Sequence, residues 1–244
     1  AAPPGFSAAR PSGGASGRLA VVLDVDECLV HSTDWADAGG AADGFRQAEA
    51  VRPDRADAGG VDSFRLSVAS GSDQFSCTVL KRAGLDEFLR ECAELFDVFT
   101  FTAGTRPYAE PLLDRLDPEH SLIKGRFYRT DCREVRVPGR GYQYLKDLAA
   151  VTGDMRRVVL VDNNPMSFLC QPQNGIPIAD FVGGGPDGEL ARVLALLRRL
   201  DAEDDVRPVL DGMFALEGKL ASLRREFLGA PAPVGGAGSA GFVD

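Results

Sequence analysis

Two carboxylates separated by one residue, Asp24 and Asp26, directly follow a short aliphatic run. That run, residues 19–23, has the length of a buried β-strand, which would deliver both acids to the edge of a sheet. Two acids placed there can divide the work of a transfer reaction, one attacking the substrate and the other moving a proton. The alternative is that both residues only form and solvate a turn, for which Asp is a common choice.

Two later segments that we predict as buried strands also end in oxygen-bearing side chains. The run 97–101 is followed by Thr102, and the run 157–161 is followed by Asp162 and Asn163. In a parallel sheet with helical crossovers, the three strand ends lie on one edge, which is where open α/β sheets bind ligands. The sequence therefore predicts an α/β fold with a parallel sheet and a polar site at its carboxyl edge.

The composition excludes several classes of protein. The 244 residues include 26% charged and 44% hydrophobic residues, which is typical of a globular protein with one large domain. A net charge of -9 argues against non-specific binding to nucleic acid or anionic membranes, and no apolar run is long enough to cross a bilayer. The five cysteines are scattered without a C-x-x-C pair, which disfavours a disulfide framework or a zinc site and favours a reducing compartment.

The ends of the chain differ in composition from its middle. Residues 1–18 and 229–244 are rich in small residues and Pro, and we predict disordered segments on either side of a domain over 19–228. The first segment is alternatively the remnant of a transit peptide. Residues 34–62 are predicted to form a mobile acidic loop. Its single tryptophan, Trp35, is either a lip of the substrate groove or a cap on the core.

The remaining periodic segments predict a hairpin and three helices. Apolar and polar residues alternate over 63–68 and 74–80, as in a β-hairpin. Apolar residues recur at helical spacing over 85–96, 190–200 and 209–227. The last stripe is interpreted as one helix that either packs on its own domain or forms a seam for a partner.

The segment 122–146 is basic in an otherwise acidic chain, with seven Lys and Arg residues against two acids. An anionic substrate would be attracted here, although a solvated charged loop has the same composition. Lys146, which we expect on a helix, closes the segment. It could place a fixed positive charge against a phosphoryl oxygen or simply face solvent.

These residue types are suited to phosphoryl transfer. Asp24 is the candidate nucleophile toward phosphorus, which would form an aspartyl-phosphate that water hydrolyses. Asp26 would protonate the leaving alcohol and later take a proton from water. Thr102 can donate to a phosphoryl oxygen, although Thr is also common at strand ends.

Phosphoryl transfer also requires neutralisation of the phosphate oxygens, for which Mg²⁺ is suited. Its protein ligands would be Asp24, Asn163 and the backbone carbonyl of Asp26. Asp162 would support this metal site from beside or behind it.

The stretch 24–32, Asp-Val-Asp-Glu-Cys-Leu-Val-His-Ser, resembles the D-x-D-x-T/V signature of the haloacid dehalogenase superfamily. More narrowly, it is similar to the D-L-D-E-T-L-V-H-S motif of phosphatases, particularly the small ones, that act on the C-terminal domain of RNA polymerase II. The likeness covers roughly residues 19–210. It continues, in chain order, through the segments 79–82, 85–89, 101–103, 144–148 and 161–165.

This resemblance implies a haloacid dehalogenase-like three-layer Rossmannoid fold with a central parallel sheet, a small β-hairpin insertion and no large cap. It also implies a Mg²⁺-dependent Ser/Thr phosphatase with Asp24 as nucleophile and Asp26 as acid and base. The other implied roles are phosphate binding by Thr102, Lys146 and Arg129, and metal binding by Asp24, Asp26, Asp162 and Asn163. Cys28 replaces the usual Thr of the motif, and we interpret it as a small buried filler.

An uncovered site favours a phosphorylated protein as substrate, with the polymerase C-terminal domain as one candidate. Two alternatives remain open: a non-enzymatic protein-binding subunit on the same fold, similar to a mitochondrial presequence-receptor subunit, and a small-metabolite phosphatase. We expect a nuclear or cytoplasmic location, with a mitochondrial one as the alternative. The sequence indicates no direct nucleic-acid partner and does not specify an oligomeric state.

Overall fold

The computed structural model describes residues 17–37, 62–70, 73–137, 139, 141–184 and 187–229. The predicted disordered segments 1–18 and 229–244 lie almost wholly outside these residues. Arg18, however, is held in place, since its guanidinium donates to the backbone oxygens of Ala93 and Phe96 at 2.8 and 2.9 Å. The ordered part of the chain therefore begins before Leu19.

Within the described residues the chain forms ten strands and five α-helices. The strands are β1 (Ala20–Leu23), β2 (Val30–Asp37), β3 (Ser63–Ser70), β4 (Asp73–Lys81), β5 (Asp97–Phe101), β6 (Gly125–Phe127), β7 (Arg133–Val137), β8 (Gly141–Leu145), β9 (Val158–Asp162) and β10 (Gly175–Pro177). The helices are α1 (Leu85–Leu95), α2 (Arg106–Leu116), α3 (Glu189–Asp201), α4 (Arg207–Phe214) and α5 (Leu216–Leu228). None of these helices is both long enough and apolar enough to cross a membrane.

A parallel sheet of five strands in the order β10-β9-β1-β5-β6 forms the centre of the molecule. Every residue of β1 and β9 is buried, which explains why both strands read as unbroken aliphatic runs. Leu23 pairs with Thr100 on one side and with Val161 on the other. The carboxyl ends of the three predicted strands are therefore level, as the sequence predicted.

Two hydrophobic clusters cover the two faces of this sheet, and β1 contributes to both. Val21 and Leu23 belong to the cluster that includes residues of α1 to α4, whereas Ala20 and Val22 belong to the cluster that includes residues of α5. This alternation follows from the two-residue period of a strand. The predicted α/β architecture with a central parallel sheet is confirmed.

The insertion after β1 is a three-stranded antiparallel sheet in the order β2-β4-β3. The predicted hairpin is confirmed by the pairing of β3 with β4, but the third strand, β2, was not predicted. Because β2 extends to Asp37, the loop predicted over 34–62 starts too early; residues 38–61 lie outside the described residues. Among the described residues between Asp26 and Thr102 there is no separate cap domain.

The basic segment 122–146 was not predicted to contain strands, but it forms β6, β7 and β8. Strands β7 and β8 pair as an antiparallel hairpin. Lys146 directly follows β8, so the expectation that it lies on a helix was wrong. Its backbone position at a strand end brings it to the same region as the other predicted site residues.

The stripe predicted as one helix over 209–227 is two helices, α4 and α5, separated by Ala215. Ala215 has a left-handed backbone with φ of 50°, which ends one helix and starts the next. Leu210 packs in one hydrophobic cluster and Leu220 in the other. The break therefore redirects the chain so that both apolar faces pack on the protein's own core.

Candidate active site

A buried cation lies between two carboxylates at the carboxyl edge of the sheet. Lys146 Nζ is 2.5 Å from Asp24 Oδ1 and 2.5 Å from Asp162 Oδ2. Lys146 is only 2% exposed and Asp162 is fully buried. The three charges belong to the ends of β1, β8 and β9, which are distant in sequence, so the tertiary fold assembles this group.

The charges in this group shift the pKa values of Asp24 and Lys146. Burial, followed by the charge of Asp162, raises the pKa of Asp24 to about 8, while Lys146 opposes the shift. Burial alone would lower the pKa of Lys146, but the carboxylates of Asp162 and Asp24 outweigh it and raise that pKa. Lys146 therefore carries a permanent positive charge beside Asp24.

Both carboxylate oxygens of Asp162 accept hydrogen bonds from other groups of the protein. Its Oδ2 accepts from Lys146, and its Oδ1 accepts from the backbone N–H of Asn164 at 2.8 Å. The supporting position of Asp162 behind a metal site and its role as a direct metal ligand both stay predictions.

The second carboxylate, Asp26, is held by two hydroxyl groups. Thr102 Oγ1 donates to Asp26 Oδ2 at 3.1 Å, and the phenol of Tyr108 donates to Asp26 Oδ1. Burial, followed by the charge of Glu27, raises the pKa of Asp26, whereas these hydrogen bonds lower it. The pKa of Asp26 is thus raised by some of its surroundings and lowered by others, which suits a group that must both give and take a proton.

Tyr108 is a site residue that the sequence reasoning missed. It lies in the first turn of α2, directly after the strand-end residue Thr102 and its turn. Burial and the neighbouring carboxylate of Asp26 raise its phenol pKa well above 10, so the group stays a hydrogen-bond donor. Its place in the first helical turn after a site-edge strand was the available signal.

Trp35 lies beside Tyr108, with their ring centroids 5.5 Å apart. Trp35 is 45% exposed, whereas Tyr108 is buried in the core. The ring therefore packs on a core residue and also meets solvent, and both interpretations of Trp35, as a groove lip and as a cap on the core, stay predictions.

A tight turn joins Thr102 to α2. The hydroxyl of Thr102 accepts from the backbone N–H of Gly104 at 2.8 Å while donating to Asp26. A Cβ at Gly104 would stand 3.0 Å from the Thr102 hydroxyl and 3.2 Å from the Tyr108 ring. Close approach rather than backbone angle therefore favours glycine here, because a larger residue would push on the Thr102 hydroxyl and the Tyr108 ring.

Arg129 is attached to the same turn. Its Nε donates to the backbone oxygen of Ala103 at 2.6 Å, and its guanidinium lies 4.9 Å from the centre of the Tyr144 ring. Lys124 and Arg126, in contrast, form ion pairs with Asp97 and Asp114. The basic segment thus divides into residues at the site and residues that stabilise the surrounding structure.

The donor set fits Mg²⁺. Within the described ranges there is no cluster of three or more His, Cys, Asp or Glu residues that could hold a metal. Asn163 Oδ1, however, is buried without a hydrogen-bond partner, on the residue that follows the Asp162 strand end. An unpaired buried amide oxygen near a buried carboxylate matches an ion that binds few protein oxygens and keeps several waters.

Cys28 is fully buried, and burial raises its thiol pKa well above 9. A thiol in that state is a poor nucleophile, so the prediction of a small buried filler is supported. Its Sγ lies 4.0 Å from the backbone oxygen of Val161, at the junction of β1 and β9.

The parallel sheet with acids at the carboxyl ends of its strands is the arrangement expected from the resemblance to the haloacid dehalogenase superfamily. Residues 19–207 match the family model of the NLI interacting factor-like phosphatases, and the chain belongs to this family. The resemblance drawn from the sequence motifs is therefore confirmed.

Several relatives carry the same kind of domain. The chain is 34% identical over 195 residues to human "Carboxy-terminal domain RNA polymerase II polypeptide A small phosphatase 1", covering 80% of this chain and 64% of the relative. It is 32% identical over 193 residues to the "CTD nuclear envelope phosphatase 1 homolog" of Drosophila pseudoobscura, covering 79% and 72%. It is 33% identical over 206 residues to "CTD small phosphatase-like protein 2" of Dictyostelium discoideum, covering 84% and 31%.

The chain thus spans 31% and 64% of the length of two of these relatives and 72% of the third. Among solved structures, Fcp1, "an essential RNA polymerase II CTD phosphatase", aligns with a TM-score of 0.48 at 20% identity. That alignment covers 86% of this chain and 64% of the other.

Proposed function

We propose that this chain is a Mg²⁺-dependent phosphoprotein phosphatase that works through an aspartyl-phosphate on Asp24. The observation that carries the proposal is the separation of environments at one strand end. Asp24 faces the buried ammonium of Lys146, whereas Asp26 faces the hydroxyls of Thr102 and Tyr108. Two carboxylates in different surroundings can take different roles.

In the first step, a carboxylate oxygen of Asp24 attacks phosphorus, and the bond between phosphorus and the Ser or Thr oxygen breaks. Asp26 gives its proton to that leaving oxygen, which departs as an alcohol. Lys146 stands 2.5 Å from Asp24 and would stabilise a phosphoryl oxygen as negative charge builds up. Arg129, which is attached to the turn after Thr102, would bind a further phosphoryl oxygen. The Thr102 hydroxyl would bind one only by turning its proton away from Asp26, to which it donates in this structure.

In the second step, Asp26 takes a proton from water as the water oxygen bonds to phosphorus. The bond between phosphorus and Asp24 breaks, and inorganic phosphate leaves. The carboxylate of Asp24 and the protonated Asp26 are then restored. The hydrogen bonds from Thr102 and Tyr108 to Asp26 hold its carboxyl group in position for both transfers.

Mg²⁺ would be held by Asp24, the side-chain oxygen of Asn163 and the backbone carbonyl of Asp26, with Asp162 behind them. When bound, it would neutralise charge on the phosphoryl group and on the nucleophile. The buried unpaired oxygen of Asn163 supports this assignment.

The substrate proposed is a phosphorylated Ser or Thr in a polypeptide. The absence of a cap domain among the described residues between β1 and β5 supports an open site that accepts a chain. Relatives are named for the C-terminal domain of RNA polymerase II and for the nuclear envelope. We therefore propose the polymerase C-terminal domain as a candidate substrate and the nucleus or cytoplasm as the location.

The test measures phosphate release from phosphoserine and phosphothreonine peptides, including polymerase C-terminal repeats, with Mg²⁺ present. We expect turnover that disappears in EDTA and falls by at least about 10³-fold in Asp24→Asn. Asp204→Asn, which changes an exposed acid in the segment after α3, is the control and should be fully active. Full activity of Asp24→Asn would contradict the mechanism.

The same assay separates the alternatives. Faster cleavage of sugar phosphates than of phosphopeptides would support a small-metabolite phosphatase. Tight binding of an unphosphorylated segment without any turnover would support a protein-binding subunit.

A further inference from the structure

We propose that Asp180 is a positioning residue that turns the side-chain oxygen of Asn163 toward the cation site. The inference rests on the proposed function, because it concerns the Mg²⁺ ligand set. Asp180 follows β10 at the same edge of the sheet, and the sequence reasoning gave it no role.

The chemistry of the contact fixes the orientation of the amide. Asn163 Nδ2 donates to Asp180 Oδ1 at 3.1 Å. An ionised carboxylate only accepts hydrogen bonds, so the reversed carboxamide would place two oxygens against each other. Asp180 therefore holds the NH₂ group on its own side and leaves the oxygen of Asn163 on the other side.

That oxygen is the atom the cation needs. Asn163 Oδ1 is buried and has no hydrogen-bond partner among the described residues. A buried unpaired oxygen costs free energy, which a bound cation would recover. The backbone N–H of Asp24 donates to Val161 at 2.9 Å, so the strand ends that carry Asp24 and Asn163 are directly joined.

Asp180 is itself fixed from both sides. The backbone N–H of Ile178 donates to the backbone oxygen of Asp162 at 3.1 Å, and that of Phe181 donates to the backbone oxygen of Glu27 at 2.7 Å. The segment 178–181 therefore bridges the end of β9 and the loop that follows β1. These are the two elements that supply the proposed cation ligands.

Arg82 holds the same segment, 178–181, in place. Its side chain is 2% exposed, and it donates to the backbone oxygens of Cys28 and Ala179 at 2.8 and 2.9 Å. Its Nε also donates to Asp187 at 2.7 Å, and its guanidinium lies 5.5 Å from the centre of the Phe181 ring. The backbone on both sides of Asp180 is therefore held by hydrogen bonds, although the Asp180 side chain is exposed.

Loss of the Asp180 carboxylate would free the carboxamide of Asn163 to rotate. Groups that orient metal ligands typically change metal affinity by about 10- to 100-fold when removed. We expect Asp180→Ala to weaken Mg²⁺ binding by about that factor. Asp180→Asn, whose side-chain carbonyl still accepts a hydrogen bond, should bind Mg²⁺ within about threefold of the wild type.

The first experiment measures Mg²⁺ affinity of the full chain by isothermal titration calorimetry. Asp204→Ala is the matched control, because Asp204 is an exposed acid at the opposite end of the sheet from the site. The backbone N–H of nearby Val206 donates to the backbone oxygen of Arg156, which precedes β9. Equal affinity in Asp180→Ala and wild type would overturn the proposal. An equally weak Asp180→Asn would also overturn it, because charge rather than orientation would then be responsible.

The second experiment needs no metal. The side-chain NH₂ signals of Asn163, assigned by their loss in Asn163→Asp, are followed by ¹⁵N NMR. We expect Asp180→Ala to shift these signals and speed their hydrogen exchange, and Asp180→Asn to keep them near the wild-type values. Unchanged signals in Asp180→Ala would overturn the proposal without affecting the proposed function. A wild type that binds no Mg²⁺ would overturn the proposed function and, with it, the positioning role.

Discussion

At the scale of residues, Tyr108 connects the acid-base carboxylate to the rest of the site. Its phenol contacts Asp26, and it also lies 2.7 Å from the hydroxyl of Ser32. Substitution by Phe would remove the donor and keep the ring. A hydrogen bond to a charged group is worth about 1.5–3 kcal/mol. Because the ring is kept, the substitution separates the effect of this hydrogen bond from an effect on packing.

We predict that Tyr108→Phe lowers kcat by about 10- to 100-fold with little change in KM. Steady-state kinetics on a phosphopeptide would measure the two parameters, and thermal unfolding would show a melting temperature close to that of the wild type. Tyr142→Phe is the control, since Tyr142 is 47% exposed on β8. A rise in KM with unchanged kcat would contradict the assignment.

Lys146 is expected to matter for stability as well as for chemistry. Lys146→Met would leave the carboxylates of Asp24 and Asp162 buried without their shared cation. We predict a loss of about 3–5 kcal/mol in the free energy of unfolding, measured by urea titration. Lys124→Met is the matched control, because Lys124 forms a more exposed pair with Asp97 and should cost at most about 1 kcal/mol. Equal losses in the two variants would contradict the prediction.

Residue types and strand-end positions were enough to predict Asp24, Asp26, Thr102 and Asp162 at one edge of the sheet. The contact of Asp26 with Tyr108 could not be predicted, because it depends on the direction in which α2 leaves its turn. The contact of Asn163 with Asp180 depends on the path of the chain after β10. Neither path leaves a periodic signal in the sequence.

At the scale of elements, Ala215 adopts an unfavourable backbone conformation at the break between α4 and α5. It has φ of 50°, and the left-handed region costs an L-residue about 1–2 kcal/mol. The apolar spacing of three and four residues continues across it, which is why one helix was predicted. The need to cover both faces of the sheet overrides that local pattern.

We predict that Ala215→Gly raises the free energy of unfolding by about 0.5–1 kcal/mol, because glycine adopts the left-handed region without strain. Urea titration would measure the change. Ala221→Gly, inside α5, is the opposite control and should lower stability by about 0.5–1 kcal/mol. Destabilisation by Ala215→Gly would show that the strain at this position is not significant.

Elements with strong patterns were predicted well, including β1, β5, β9 and α1. Among the strands that were missed, β6 and β10 are only three residues long, and β2, β7 and β8 are partly exposed. Their pairing depends on neighbours that are distant in the chain or on a hairpin with a mixed sequence. Local alternation is too weak to indicate such strands.

At the scale of the whole molecule, the five cysteines are free thiols. Burial raises the pKa of Cys77 and Cys170 to about 11, and that of Cys92 and Cys132 to about 12. Burial also raises the thiol pKa of Cys28 well above 9. A raised thiol pKa leaves less reactive thiolate at neutral pH, so the folded protein should resist alkylation.

We predict that the native protein reacts with iodoacetamide at pH 8 at least about a hundredfold more slowly than the guanidinium-unfolded protein. The rate should rise about tenfold per pH unit up to pH 10 without levelling, since the thiol pKa values lie above that range. Mass spectrometry after timed quenching would count the modified cysteines. Rapid labelling of any one cysteine in the native protein would identify an exposed, activated thiol and contradict the prediction.

The position of β1 in the sheet also has a consequence for synthesis of the chain. Although β1 precedes the other described strands in the chain, it lies between β5 and β9. Asp24 and Lys146 are 122 residues apart, so at roughly 5–20 residues per second the ribosome needs about 6–24 s to add the second after the first. During that time the nascent chain carries its nucleophile without the cation that faces it. The active site is therefore completed only after most of the domain has been translated.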